Sequence, residues 1–230
     1  MGASMCGRFA LDADYVRIKA QFNLSNDLDI LPRYNIAPSM PVLFICQIEG
    51  QNQALKLQWG LLPAWAKTKK IKKAINVVSE TVFEKRAFRK EIQAHRGIMV
   101  MSGFFEWRVE GKGRQPYYFK KKNDELIAVA ALWDTWHSGE EVIHSCALLT
   151  TEANPLVHAI HQRMPAILVP SEQTIWMNNH AYEPDKLSAV LHPYQVDDLC
   201  GYPVTRDMNH FAFQSSLAIK ALTTVKSALR

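Results

Sequence analysis

Short apolar runs separated by charged or glycine-bearing breaks dominate the chain, and their spacing reads as strands far more often than as helices. Pro41 introduces an apolar strand over 42–48 and a second follows over 54–59, a pairing that reads as a hairpin around 49–53. Further strands are expected at 98–101, 104–108, 117–121, 126–133 and 142–150, divided by breaks such as the charged stretch 110–114. Asp12 or Asp14 can cap a short helix ending near Phe22. Thr81 and Glu84 have capping-box spacing and predict a basic amphipathic helix to about His95, with Gly97 placed to end it. Shorter helices are expected after Asn154-Pro155, after Ser171 as a cap, and around 185–191. The pattern predicts an α+β fold: a single domain built on a curled, mainly antiparallel β-sheet with flanking helices. At 230 residues, with no repeat and no Gly/Ser linker, the chain has room for one sizeable core and needs no second.

Composition narrows the function classes. The apolar fraction of 48% and charged fraction of 21% are those of a globular domain, and the longest apolar stretches, such as 127–133, are too short to cross a bilayer. The N-terminus lacks the apolar run of a secretory signal and soon meets Asp12 and Asp14, so a cytoplasmic location is expected, nucleoid-associated in a bacterium. Cys6, Cys46, Cys146 and Cys200 are scattered without a C-x-x-C pair, which fits neither a disulfide framework nor a zinc site. The net charge of +5 hides an asymmetry: residues 67–122 hold 16 Lys plus Arg against 5 Glu, a local +11, leaving −6 for the remainder. Such a segment reads either as a face for a polyanion or as an ordinary solvated basic surface.

Cys6 directly follows Met5, so a chain beginning at Cys6 would present an α-amine and a thiol on one residue. An α-amine has a reference pKa near 8, against about 10.4 for lysine, and its neutral fraction can attack an aldehyde to form a Schiff base. The thiol can then close a thiazolidine ring. The ring-opened deoxyribose of an abasic site is such an aldehyde, which would join DNA affinity to this chemistry.

Glu106 lies in the aromatic strand Phe104-Phe105-Glu106-Trp107, where burial would suit it to proton transfer, the alternative being a partner for lysine or arginine. His161 stands between a short helix and an apolar strand, as a proton shuttle or a satisfied structural residue. Asn76 could hold a sugar oxygen, or serve as a turn residue ahead of the basic segment. Trp65, in a tight loop beside Lys67, Lys69 and Lys70, reads as a stacking surface for bases or as core.

Taken together, Cys6-Gly7-Arg8-Phe9, Arg33-Tyr34-Asn35-Ile36-Ala37-Pro38, Trp59-Gly60 with Pro63 and Trp65, Asn76 with Glu80-Thr81, Gly103-Phe104-Phe105-Glu106-Trp107, Gln115-Pro116-Tyr117 and His161-Gln162-Arg163-Met164-Pro165 resemble the SOS-response-associated peptidase (SRAP) family over most of the chain. The resemblance implies a barrel-like antiparallel core. It also implies an enzyme that binds single-stranded DNA and crosslinks abasic sites through the N-terminal cysteine, without metal or organic cofactor. By position, Cys6 would form the thiazolidine, Asn76 would hold the opened sugar, and Glu106 and His161 would handle protons. Arg8, Arg86 and Arg163 fall where the family places phosphate contacts, Trp65 where bases are separated or stacked, and Thr150 on the site-lining strand. The family name adds a peptidase activity, proposed to remove residues ahead of Cys6, and residues 1–5 are expected to be an added leader before a 6–230 domain, the alternatives being a misplaced start and a propeptide removed by autocleavage. A monomer that engages no membrane is the default.

Two departures from the family pattern concern DNA contact: Val78 stands where an arginine is common, and Ala66 follows the loop tryptophan where an aromatic is common. The former implies weaker phosphate contact unless Lys72 or Lys73 compensates, the latter a smaller stacking wedge. Two rival classes remain: an N-terminal-nucleophile amidohydrolase using Cys6, and a non-catalytic nucleic-acid-binding module.

Overall fold

The computed structural model describes residues 6–111 and 113–222. The first half of the chain supplies β1 (Phe9–Leu11), α1 (Tyr15–Phe22), β2 (Arg33–Ile36), β3 (Pro41–Ile48), β4 (Gln51–Trp59), β5 (Asn76–Val78), α2 (Arg89–Ala94), β6 (Arg96–Met101) and β7 (Gly103–Glu110). The second half adds β8 (Gly113–Lys121), β9 (Ile127–Ser138), β10 (Glu141–Glu152), α3 (Pro155–His158), β11 (Arg163–Pro165), α4 (Pro170–Met177), α5 (Pro184–Ala189) and β12 (Leu199–Pro203).

The fold is α+β, dominated by sheet, with a closed barrel at its centre. β3 pairs with β4 and β6, β6 with β9, and β9 with β10, all antiparallel; the parallel pairing of β10 with β4 closes the ring. Closure removes the free edges that an open sheet would expose. A second sheet, in the order β12-β8-β7-β1-β2, packs on the barrel, and the Phe9 and Trp59 rings meet across the junction at 5.3 Å. Period-two alternation sends Phe104 into the core shared with the barrel and Phe105 into a smaller cluster with Tyr118 and Met208. Each buried aromatic of this kind contributes roughly 2–3 kcal/mol.

The handover of partners along β10 positions the site. Ser145 and Cys146 face Gln58 and Trp59 of β4. Gly60, at φ +131°, then turns the chain out of the barrel, and after an excursion over 61–75 the next part of β10 pairs with β5, Leu148 opposite Asn76 and Thr150 opposite Val78. The end of β10 pairs with β11, Thr150 opposite Pro165 and Glu152 opposite Arg163.

The expected strands are all present, several longer than the apolar runs suggest, and the first hairpin turns on Glu49-Gly50, both at positive φ. Asp14 caps α1 by accepting from Arg17 N–H at 2.8 Å. The long helix expected over 81–95 is instead two 3-10 turns, Ser79–Thr81 and Arg86–Phe88, followed by the short α2. Val82 is fully buried and Ile92 nearly so, with Glu84, Lys85 and Arg86 exposed between them, so packing anchors the segment at its two ends. Gly97 is no helix cap: it lies inside β6, where a Cβ would come within 2.4 Å of Ile45 O and the Phe44 ring. Ser171 is likewise not a cap, because α4 begins at Pro170 with Glu172 accepting from Val169 N–H at 2.9 Å. Among the described residues no helix is long and apolar enough to cross a membrane.

Candidate functional site

Cys6 lies just ahead of β1, which runs antiparallel to β7, so the residues before Phe9 pass along the far end of Phe104-Phe105-Glu106-Trp107. Phe105 N–H donates to Arg8 O at 3.0 Å, and Cys6 N–H donates to Glu106 Oε1 at 2.9 Å. The alternation that sends Phe104 inward also sends Glu106 inward, leaving its carboxyl 1% exposed. Burial pushes the Glu106 carboxyl up to about 8, against the opposing effect of its hydrogen bonds from Cys6. The Cys6 thiol, also buried, is held well above its ordinary value by desolvation first and by the Glu106 charge second, with Arg163 pulling the other way. Cys6 has φ +38°, a left-handed conformation that side-chain-bearing residues rarely adopt.

His161 and Arg163 arrive from the turn between α3 and β11. Asn154 caps α3, just ahead of that turn, by accepting from Val157 N–H at 3.0 Å. The His161 ring then lies with Nδ1 3.9 Å from Glu106 Oε2 and 3.1 Å from Arg163 N. Arg163 forms a two-pronged pair with Glu80, Nη1 to Oε1 and Nη2 to Oε2, each at 2.8 Å. Its Nη2 also donates to Thr150 O at 2.6 Å and approaches Thr150 Oγ1 at 3.3 Å. Asn76, half-buried, opens β5 beside the same stretch of β10. Thus Cys6, Glu106, His161, Arg163 and Thr150 form one connected corner, with Asn76 in register next to it.

The remaining candidates stand elsewhere. Arg8 is braced by Asn35, whose Oδ1 accepts from Nη1 at 2.8 Å, and by Met208 O at 3.2 Å. Trp65 is 63% exposed in the excursion after Gly60, and its Nε1 donates to Ala87 O at 3.5 Å, one residue beyond the exposed Arg86. Trp59, by contrast, is core and donates to Ile75 O at 2.9 Å. Ala66 points inward, in a cluster with Leu62 and Trp136 whose indole donates to Ala66 O at 2.7 Å, so a bulky side chain there would meet packed core.

The basic segment is less free than its charge implies. Arg96 is fully buried and donates to backbone carbonyls including Trp176 O and Ile92 O, at 2.8 and 2.7 Å. Lys69 pairs with Glu141 and Lys122 with Asp197, drawing carboxylates from the acidic remainder of the chain. The sequence assigns no role to Glu80 or Asn35, although both stand inside the motifs singled out there; each lies far along the chain from the arginine it braces, so membership of a motif was the available signal. Among the described residues no cluster of three or more His, Cys, Asp or Glu is placed to hold a metal ion.

These features define a class: α+β proteins in which a cysteine just ahead of the first strand faces a buried carboxyl, an imidazole and an arginine across a barrel rim. The chain belongs to the SOS response associated peptidase (SRAP) family, which it matches over residues 5–211. Similar curated proteins include the abasic site processing protein YoqW of Bacillus subtilis, 39% identical over 89% of this chain and 94% of that one. The abasic site processing protein YedK of Escherichia coli is 29% identical over 75% of this chain and 79% of its own. A crystal structure of a protein from Bacteroides thetaiotaomicron shares the fold with a TM-score of 0.86, at 24% identity over 94% of this chain and all of that one.

Proposed function

We propose that the protein is an enzyme that captures abasic sites in single-stranded DNA by forming a thiazolidine at Cys6. The observation that carries this reading is the Cys6 nitrogen 2.9 Å from the Glu106 carboxyl, with His161 Nδ1 3.9 Å from the other carboxyl oxygen. The names of the relatives, abasic site processing proteins, point the same way.

Once Cys6 carries a free amine, its nitrogen attacks the sugar aldehyde, and a proton passes from nitrogen to the new hydroxyl by way of His161. With its pKa near 8 the Glu106 carboxyl is mostly protonated at neutral pH. It donates that proton to the departing hydroxyl, which leaves as water and gives an iminium ion. The Glu106 carboxylate then takes the thiol proton as Sγ bonds to the iminium carbon, closing the ring. One water is released and Glu106 ends protonated as it began. Asn76 holds the opened sugar, Arg163 and Thr150 line the entry, and Arg8, Arg86 and Trp65 bind the strand. The reaction draws on no metal or organic cofactor.

In the sequence the Cys6 nitrogen is bonded to Met5, so residues 1–5 act as a leader whose removal activates the 6–230 domain. A specific observation favours removal of residues 1–5, with self-removal as a second activity: breaking the Met5–Cys6 bond, by whatever nucleophile, abolishes the torsion held at φ +38° and releases strain of order 1–2 kcal/mol.

The test mixes single-stranded DNA bearing one abasic site with the full chain and with a version starting at Cys6, and looks for a slow band on a denaturing gel. The Cys6-first protein should give a heat-stable adduct at one event per molecule. No adduct with either protein would reject the reading, and repeated turnover of a small amide would favour an amidohydrolase.

A further inference from the structure

Asp134 ends an otherwise apolar stretch of β9 and is 0% exposed. A buried carboxylate persists only where donors replace its hydration, since leaving it unpaired costs several kcal/mol. Here Ala64 N–H donates to Oδ2 at 2.6 Å, while Oδ1 receives Lys90 Nζ at 3.0 Å and Thr135 N–H at 2.9 Å and lies 3.3 Å from His95 Nδ1. Those bonds hold its pKa well below the usual carboxylate range. The neighbouring Glu91, also buried, is pushed up by burial and by the Asp134 charge, so of the two carboxyls Asp134 is the more readily ionised.

Apart from Thr135 of β9 itself, the donors come from two surface elements. Ala64 immediately precedes Trp65 in the excursion after Gly60; Lys90 and His95 belong to α2 and its end, just beyond the 3-10 turn that carries Arg86. The His95 ring also stacks on Trp133 at 4.9 Å, which fixes α2 to the same strand. No other contact described above reaches from the barrel wall to both elements at once.

We infer that Asp134 is a positioning residue for DNA binding: its carboxylate ties the Trp65 loop and the 86–94 segment together, so that the stacking indole and the basic side chains stand on one surface. This rests on the single-stranded DNA reading above. Asp134 touches no DNA itself. It removes the cost of ordering the loop when a base stacks on Trp65, and it confines Lys90 to the same face.

The test is binding of a fluorophore-labelled, undamaged single-stranded oligonucleotide by the full chain, followed by fluorescence anisotropy over a range of salt, for the unmutated protein, Asp134→Asn, Trp65→Ala and the double variant. Asp134→Asn should weaken binding roughly tenfold, about the loss of one base stack. Its salt slope should be unchanged or steeper, because Lys90 loses its internal carboxylate. In the Trp65→Ala background the same substitution should cost less than twofold. Circular dichroism checks that each variant folds; should Asp134→Asn not fold, Ala64→Pro deletes the loop's donor and leaves the carboxylate, and the same tenfold loss is expected. Unchanged affinity, or an equal loss with and without Trp65, would overturn the inference. A chain that binds the oligonucleotide but never crosslinks an abasic site would strike only the covalent chemistry, and one that binds no single strand would overturn both.

Discussion

Around Cys6 the ionisable groups are withdrawn from water, with Glu106 buried and pushed up to about 8 and the thiol held higher still. Around Trp65 they stand in it, with Lys67, Lys70, Arg86 and Arg89 exposed. In the first region desolvation makes a carboxyl able to give and take a proton near neutral pH; in the second, exposed cations can meet phosphates without losing much hydration beforehand. On the proposed reading, chemistry and affinity would reside in different residues and should separate under mutation.

The largest separation is expected from Cys6→Ala, which removes the thiol while leaving the basic surface intact. In a Cys6-first protein the stable adduct should vanish from a denaturing gel, while salt-sensitive binding to the same oligonucleotide stays within twofold. A heat-stable adduct from the alanine variant would show that the two regions are not divided in this way.

Glu106→Gln tests the buried side in two directions at once. The capture rate should fall by about 10²–10³-fold, the range for loss of a general acid or base. Stability should move oppositely. The Glu106 pKa is raised on folding, so the wild type keeps its full stability below about pH 4.5 and loses it as pH rises towards 8, where the unfolded chain ionises more readily. At about 1.4 kcal/mol per pKa unit, a rise from 4.5 to about 8 should make the glutamine variant the more stable by roughly 4 kcal/mol at pH 8 and by little at pH 4.5. Urea midpoints at the two pH values read this; a variant less stable at pH 8 would mean that the carboxyl is not strained by burial.

How far these regions could be read in advance differs for a physical reason. Cys6, Glu106 and His161 could be singled out as candidates by side-chain type and by the family motifs, but each segment alone left a structural role open for Glu106 and His161; that the three stand together is legible only in the fold. The strands were visible because short apolar runs between polar breaks are a local signal, and the barrel strands β6, β9 and β10 are buried at successive positions. The barrel was not derivable from the pattern: its closure depends on β6 meeting both β3 and β9 and on a parallel contact between β4 and β10, and such pairings between distant segments leave no local trace. The basic surface misled for a related reason. Capping-box spacing at Thr81 and Glu84 and a run of cations read as one amphipathic helix, whereas Val82 and Ile92 sit in the core at the two ends of a broken segment. Arg96 counted towards the local +11 yet is spent on backbone carbonyls inside the protein.

On the exposed side, two substitutions should divide stacking from charge. Trp65→Ala should weaken single-strand binding about tenfold at every salt concentration, since base stacking carries little charge dependence. Arg86→Ala should weaken it less at moderate salt and reduce the slope of log affinity against log salt by about one. If both variants changed the slope alike, Trp65 would be acting through the shape of the basic surface and not as a platform.

The smallest effect is expected where the two regions meet, at the pair between Arg163 and Glu80. Glu80 holds the guanidinium at the entry to the Cys6 corner, but it also competes with any phosphate for the same two nitrogens. Its side chain is 44% exposed, so solvent screens the pair and its contribution is of order 1 kcal/mol or less. Glu80→Gln removes the competing charge while keeping a hydrogen-bond acceptor near Arg163. Oligonucleotide binding should therefore tighten by about two- to threefold at low ionic strength and converge with the wild type as salt screens the added cation. Tighter binding with an unchanged capture rate would assign Arg163 to phosphate contact alone. Tighter binding with slower capture would mean that Glu80 fixes the arginine for the chemistry around Cys6, and that the boundary between the buried and exposed regions runs through this side chain.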